Sequence, residues 1–228
     1  MKISIIVPTL NEAKTIRRTL EMLDNLEGDK EIIVVDGGSS DNTMSLAAEK
    51  THVLLLSAPM GRASQMNHGA KNAAGDVLFF LHSDSLLQHT AIKSIAETMQ
   101  DPLVVGGCFT LEMDDTGLLF KIISVSSNIR ARYSRIYFGD QGIFVRKDVF
   151  EKLGGYPQID LMEDWEFSRA LRKTGRVVQL PDKIITSSRR FKKGGVLKTC
   201  LLMHKLKLLY ILGVSPRYLK KRYYKEVD

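Results

Sequence analysis

Apolar residues fall in short unbroken runs that stop abruptly at polar groups. Residues 3–7 (ISIIV) close at Pro8, residues 31–36 (EIIVVD) at a Gly-Gly-Ser-Ser-Asp segment, and residues 77–81 (VLFFL) at His82, Ser83 and Asp84. Such runs mark strands buried on both faces of a sheet. A further strand is expected at 52–57. Between them, Ile16, Leu20, Leu23 and Leu26 recur with helical spacing behind Asn11, the expected N-cap, and helices are expected at 43–50 and 61–74. Three strand–helix units followed by a fourth strand, all joined by short connections, predict a parallel sheet built of right-handed crossovers. The polar clusters at 8–11, 36–41 and 82–84 then gather at the carboxyl ends of the strands, where open α/β sheets bind ligands.

Beyond residue 87 the pattern loosens. It predicts a helix at 87–99, a strand at 104–113, an amphipathic helix or cover at 118–135 and a strand at 142–146. A helix at 162–173 opens on two carboxylates, a placement the helix dipole favours. Short strands at 177–180 and 183–186 and one helix at 194–212 complete the chain. No internal repeat or low-complexity segment is present.

The 228 residues are 44% hydrophobic, enough for one full core. The formal charge of +7 is unevenly placed: from Arg189 onward 12 basic residues face only Glu226 and Asp228. The tail is therefore basic and the rest slightly acidic, unlike a uniformly basic nucleic-acid binder. Cys108 and Cys200 lie far apart with no metal or redox spacing, which suits a reducing cytoplasm. The opening apolar run is too short for a signal peptide, and no window approaches the ~20 apolar residues of a membrane span. Neither GxxxxGK[ST] nor GxGxxG follows the first strand, which argues against a P-loop enzyme and a dinucleotide-binding domain. An Asp beside a hydroxyl and an imidazole at a strand end suits a divalent cation carrying a phosphorylated ligand, with a solvated Asp as the plainer alternative.

IIVPTLNEA, EIIVVDGGSSDNT, GRASQMNHGA and GDVLFFLHSD, in this order and spacing, resemble the family 2 glycosyltransferases. FGDQGIFVRKDVFEKLGGYP and LMEDWEFSRALRKTGR match the same family's acceptor half. Within the family the chain looks like a small bacterial subgroup associated with arsenosugar biosynthesis and selenium-linked radical-enzyme clusters. The resemblance reaches to about Arg190. It implies a GT-A fold, an α/β Rossmann-like mixed sheet flanked by helices, spanning 1–190. Residues 1–100 would be the nucleotide-sugar half and 101–190 the acceptor half; beyond the resemblance, the lysines and leucines of 191–228 read as a basic, amphipathic helical segment.

The resemblance also implies a nucleotide-diphosphate sugar donor, with a UDP-sugar favoured and a GDP-sugar possible, Mn²⁺ or Mg²⁺, and inversion at the anomeric carbon. Pro8, Leu10, Asn11 and Glu12 would line the nucleoside. Asp36 would accept a base N–H, with a turn-initiating Asp as the alternative. Arg62 would meet the base or diphosphate, or else be a solvated first-turn arginine. His82, Ser83 and Asp84 stand at the family's DxD motif. Asp84 matches the metal-holding Asp, and His82, replacing the first Asp, is expected at the ribose, with ligation of Mn²⁺ as the alternative.

Asp164, in the family's Glu163-Asp164 pair, is the expected general base. Asp140 and Gln141 would orient acceptor or donor sugar. Trp165, the sole tryptophan, would offer a platform for a sugar ring, with core packing as its other reading. Arg189 and Arg190 would clamp the diphosphate as charge develops, with a solvated basic turn as the alternative. Other readings are a nucleotidyltransferase on a similar fold and a non-catalytic module using the tail on a membrane surface or RNA. The expected setting is cytoplasmic, with peripheral contact to the cytoplasmic face of a membrane through the tail.

Overall fold

The computed structural model describes the backbone of residues 1–227 and the side chains of residues 1–223. Strand β1 (Ile3–Thr9) leads through α1 (Ile16–Asp24), β2 (Lys30–Asp36), α2 (Thr43–Ala48), β3 (Leu54–Ser57) and α3 (Arg62–Lys71) to β4 (Val77–Phe80). β1 pairs in parallel with both β2 and β4, and β2 with β3. The unalternating runs have their physical reason in two cores, one on each face. Ile3, Ile5 and Val7 pack with Ile16, Leu20 and Leu23 of α1 on one side. Ile6, Ile33 and Phe80 pack with Ala63, Met66 and Ala70 of α3 on the other.

The second half adds β5 (Leu86–Leu87), α4 (Ala91–Thr98), β6 (Val104–Met113), α5 (Leu118–Ser134), a 3₁₀ turn at Gly139–Gln141 and β7 (Ile143–Arg146). It continues with α6 (Lys147–Lys152), α7 (Glu163–Leu171), β8 (Arg176–Thr186), α8 (Arg189–Gly194), α9 (Val196–Ile211) and α10 (Pro216–Val227). The strands form one mixed sheet in the order β3-β2-β1-β4-β7-β6-β8-β5, with β7 antiparallel to both of its neighbours. This is the α/β GT-A architecture that the motifs imply.

Several local expectations need correction. Asn11 does not cap α1, which starts at Ile16 behind Thr15. Asn11 instead adopts φ 55°, which Asn tolerates because its short amide bonds locally. Its N–H donates to Ser39 Oγ (2.9 Å), and its Oδ1 accepts from the Ser40 N–H (2.8 Å). The segment 87–99 is a short strand and then a helix, β5 and α4. The two strands expected at 177–186 are one, β8. Leu180 pairs with Phe109 and Lys183 with Thr110, so Pro181 and Asp182 bulge out where proline's missing N–H breaks no ladder bond. The helix expected at 194–212 forms as α9, and the short helix α8 precedes it across Gly195, whose φ of 80° suits glycine.

Helices α9 and α10 fold back on the acceptor half. Leu202, Leu206 and Leu219 bury against Leu161 and Met162, just before α7. The Tyr210 hydroxyl donates to Glu166 Oε1 at 2.7 Å, and Lys220 pairs with Asp160 at 2.8 Å.

Candidate active site

The strand ends are braced before any ligand arrives. Buried Gln65 of α3 donates from Nε2 to the carbonyls of Thr9 and Val35, both at 2.8 Å, pinning the ends of β1 and β2 together. Buried Asp36 accepts from the N–H groups of Gly38 (2.9 Å) and Ser39 (2.8 Å), and Ser39 Oγ donates to its other oxygen. The carboxylate thus shapes its own turn yet keeps lone pairs for a further donor. Pro8 lies half-buried and Leu10 exposed at the end of β1. Thr19 donates to the carbonyl of buried Ser83 at 2.6 Å, fixing the chain where β4 gives way to polar residues.

Asp84 and Glu12 come from different strand ends and share one cation. Arg189 Nη2 lies 2.8 Å from Glu12 Oε1 and 3.3 Å from Asp84 Oδ2. Glu12 is further held by the Thr15 hydroxyl, which donates to Oε2 at 2.9 Å. Two carboxylate oxygens that attract a guanidinium would equally attract a hard divalent ion. No group of three or more His, Cys, Asp or Glu side chains is placed to hold a metal among the described residues. The site therefore fits an ion that shares its shell with phosphate oxygens and water, the usual manner of Mg²⁺, and not a cage made by the protein alone.

A second cluster lies where α3, the end of β4 and α7 meet the 3₁₀ turn. Gly139 is the hub. A Cβ there would lie 2.5 Å from both Arg62 Nη2 and His82 Nε2, and 3.0 Å from Asp164 Oδ2. Only hydrogen leaves room for these three groups to converge. The Gly139 N–H donates to Asp164 Oδ2 at 2.8 Å. Arg62 Nε lies 3.6 Å from Glu163 Oε1, and Arg62 Nη2 lies 4.0 Å from Asp164 Oδ2. Arg62 thus stands against the acidic pair, and Glu163 and Asp164 are themselves buried at the start of α7.

Burial, and then the charge of Glu163, push the Asp164 carboxyl up to about 6, against the opposing pull of Arg62 and the Gly139 N–H. Burial, with help from the charges of Arg62 and Arg190, holds His82 well below the usual imidazole range, so it is neutral. Burial also raises Asp140, partly offset by Arg130. His82 Nε2, Asp140 Oδ1 and Asp164 Oδ1 are buried without a hydrogen-bond partner. Unsatisfied buried polar atoms are costly. Here they supply acceptors and, from the imidazole, a potential donor for a hydroxyl-rich ligand.

Gln141 is fully buried, and its Oε1 accepts from Arg130 Nη2 at 2.5 Å. Arg130 lies over the Phe138 ring at 4.3 Å, and Phe138 packs against Trp165 with 6.1 Å between ring centroids. Trp165 is half-buried and outside the main cores, which corrects the core-packing reading. Arg190 stacks over Tyr223 at 5.2 Å. Asp84 and Arg189 therefore form one cluster with Glu12. Arg62, His82, Glu163 and Asp164 form another around Gly139. Gln65, Arg130 and Gly139 were not singled out by sequence. Arg130 had no distinguishing signal, being one of four basic residues in 118–135. Gly139 had none, because its role depends on what surrounds it.

The family profile "Glycosyl transferase family 2" matches residues 4–154. The chain is 26% identical over 193 residues to the O-antigen chain rhamnosyltransferase RfbN of Salmonella typhimurium, covering 75% of this chain and 60% of that protein. It is 28% identical over 224 residues to a PGL/p-HBAD biosynthesis glycosyltransferase of Mycobacterium bovis, covering 90% and 83%. Among solved structures, S. aureus TarS 1–349 in complex with UDP superposes with a TM-score of 0.67 at 20% identity, over 82% of this chain and 60% of that one. The mannosyltransferase PcManGT of Pyrobaculum calidifontis, in complex with GDP-Man and Mn²⁺, gives 0.62 at 21% identity over 99% and 68%. The chain thus spans about 60% of the length of RfbN and of the TarS fragment.

Proposed function

The chain belongs to glycosyl transferase family 2, and on that premise we propose a metal-dependent, inverting transfer of a sugar from a nucleotide-diphosphate donor to an acceptor hydroxyl. The observation that carries this reading is a pair of carboxylates in opposite settings. Asp84 is partly exposed, its side chain 21% accessible, and cation-paired beyond a strand end. Asp164 is buried, with one oxygen held by the Gly139 N–H and the other without a partner. Such divergence assigns different roles to chemically identical groups.

In this reading Asp164 accepts the acceptor's proton as its oxygen attacks the anomeric carbon and the bond to the nucleoside diphosphate breaks. A single displacement of this kind inverts the configuration. The raised pKa places the base close to the working pH, where proton transfer is most effective. Arg62 orients the acidic pair and keeps Asp164 ionised. Neutral His82 and Asp140 bond sugar hydroxyls, Gln141 braces the 3₁₀ turn through Arg130, and Trp165 with Phe138 offers an apolar platform. Pro8, Leu10, Asn11, Glu12 and Asp36 receive the nucleoside, and Arg189 and Arg190 balance charge on the leaving diphosphate. Asp84 would hold Mn²⁺ or Mg²⁺, which when bound neutralises the diphosphate.

The UDP of TarS and the GDP-Man with Mn²⁺ of PcManGT support a nucleotide-sugar donor. A UDP-sugar is favoured, and a GDP-sugar is the alternative. The subgroup resemblance to arsenosugar-associated enzymes, a cytoplasmic setting and tail contact with an anionic membrane are parts of the same proposal. A nucleotidyltransferase would want a Gly-, Arg- or Lys-rich triphosphate loop after β1, and TLNEA is not one. Thermal shift with UDP, GDP and dTDP, each with and without Mn²⁺, tests the reading. One diphosphate should stabilise the protein in a Mn²⁺-dependent way, and the absence of any such shift would sink it.

A further inference from the structure

Helix α5 carries a stripe that the fold leaves uncovered. Leu118, Ile122, Val125, Ile129 and Tyr133 are each more than half exposed. Their spacing of three and four residues puts them on one face. The opposite face is the one that packs, through Phe120, Ser124 and Ala131.

Helix α9 is apolar on two sides. Thr199, Leu202 and Leu206 are buried, while Leu197, Leu201, Leu208 and Ile211 are more than half exposed on the other side. The segment is thus not amphipathic in the ordinary sense, because only one of its apolar faces is used by the core. Contiguous apolar surface of this kind marks an interaction site.

The two helices lie on one side of the acceptor half. Phe191 of α8 stands edge-on to Phe120 at 6.3 Å. Arg130 of α5 and Lys207 of α9 both reach the Phe138 ring, at 4.3 and 5.1 Å. Exposed Lys121 and Arg132 flank the α5 stripe, and exposed Lys198 and Lys205 flank that of α9. No acidic residue occurs in 118–134 or 189–225.

We propose that α5 and α9 together form a surface that docks on an anionic lipid bilayer. The flanking charge selects this occupant. A second copy would bring two all-basic borders together with no acid to offset them, whereas anionic headgroups complement them and acyl chains receive the stripes. No helix among the described residues is long and apolar enough to cross a membrane, so the contact lies within the interface. The inference deepens the tail contact proposed above by adding α5, and it is independent of the transfer chemistry.

The test is flotation of the full chain with phosphatidylcholine vesicles, with and without phosphatidylglycerol, at low salt. The wild type should float with the anionic vesicles. Ile122→Ser with Ile129→Ser on α5, and separately Leu201→Ser with Leu208→Ser on α9, should each weaken that binding by roughly tenfold or more. These positions are exposed, and an unchanged melting temperature verifies the fold. Failure of the wild type to float overturns both the surface and the tail contact. Full binding by the α5 variant overturns the surface and leaves attraction by tail charge alone. A wild-type dimer in solution that either serine variant dissolves makes the stripes a contact between copies, and overturns the proposal as well.

Discussion

Arg189 occupies the space between Glu12 and Asp84, with Nη2 3.3 Å from Asp84 Oδ2. A residue of α8 thereby neutralises a carboxylate at the end of β4 that is proposed to meet the metal. Arginine and metal ion then compete for the same oxygens. Arg189→Gln should leave two like charges facing each other and lower the Mn²⁺ concentration needed for half-saturation several-fold, while Asp84→Ala should abolish Mn²⁺-dependent donor binding. Calorimetric titration with Mn²⁺ checks both. An unchanged midpoint in the first variant, or intact metal-dependent binding in the second, contradicts the assignment.

The acidic limb of the pH profile should belong to Asp164. A general base works when ionised, so kcat/KM should rise as pH increases through about 6, where burial and Glu163 have pushed this carboxyl. Arg62 opposes that shift, and Arg62→Gln should therefore move the limb to higher pH. A limb that moves down, or stays in place, would mean that Arg62 does not act on Asp164.

Asp164 should also cost the fold stability at neutral pH. Its folded carboxyl keeps a proton to a higher pH than the unfolded one, so the native state binds more protons between the two values. Stability then falls as pH rises through that window, from about 4 to about 6. Asn carries no charge to bury and can still accept from the Gly139 N–H. Asp164→Asn should raise Tm at about pH 7.5 but hardly at about pH 4. An equal change at both values would mean that ionisation is not the cause.

The parallel half was legible because each strand is buried on both faces and ends in polar residues. A run such as VLFFLHSD states both facts at once. The motifs likewise carried the family and the positions of Asp84 and Asp164. What stayed hidden depends on contacts distant in sequence. Asn11 looks like a cap until Ser39 and Ser40 are seen beside it. Pro181 reads as the gap between two strands, yet β8 passes it as a bulge because β6 pairs on either side. The approach of Arg62 to Glu163 and Asp164 was hidden in the same way, since it follows from α3 and α7 packing on the same side of the sheet. The leucines of α9 gave no periodic contrast, since both of its faces are apolar.

The most direct measurement pairs sugar transfer with donor affinity in Asp164→Asn. Asn keeps the shape of the side chain and its bond from Gly139, but it cannot take the acceptor's proton. Asp164 lies in the cluster around Gly139 and is not one of the residues proposed to receive the nucleoside. Transfer should fall by roughly 10²–10⁴-fold, the usual worth of a positioned base, while donor affinity stays within a few-fold of wild type. Normal turnover by this variant on a confirmed acceptor would contradict Asp164 as the base and turn attention to Asp140 or Glu163.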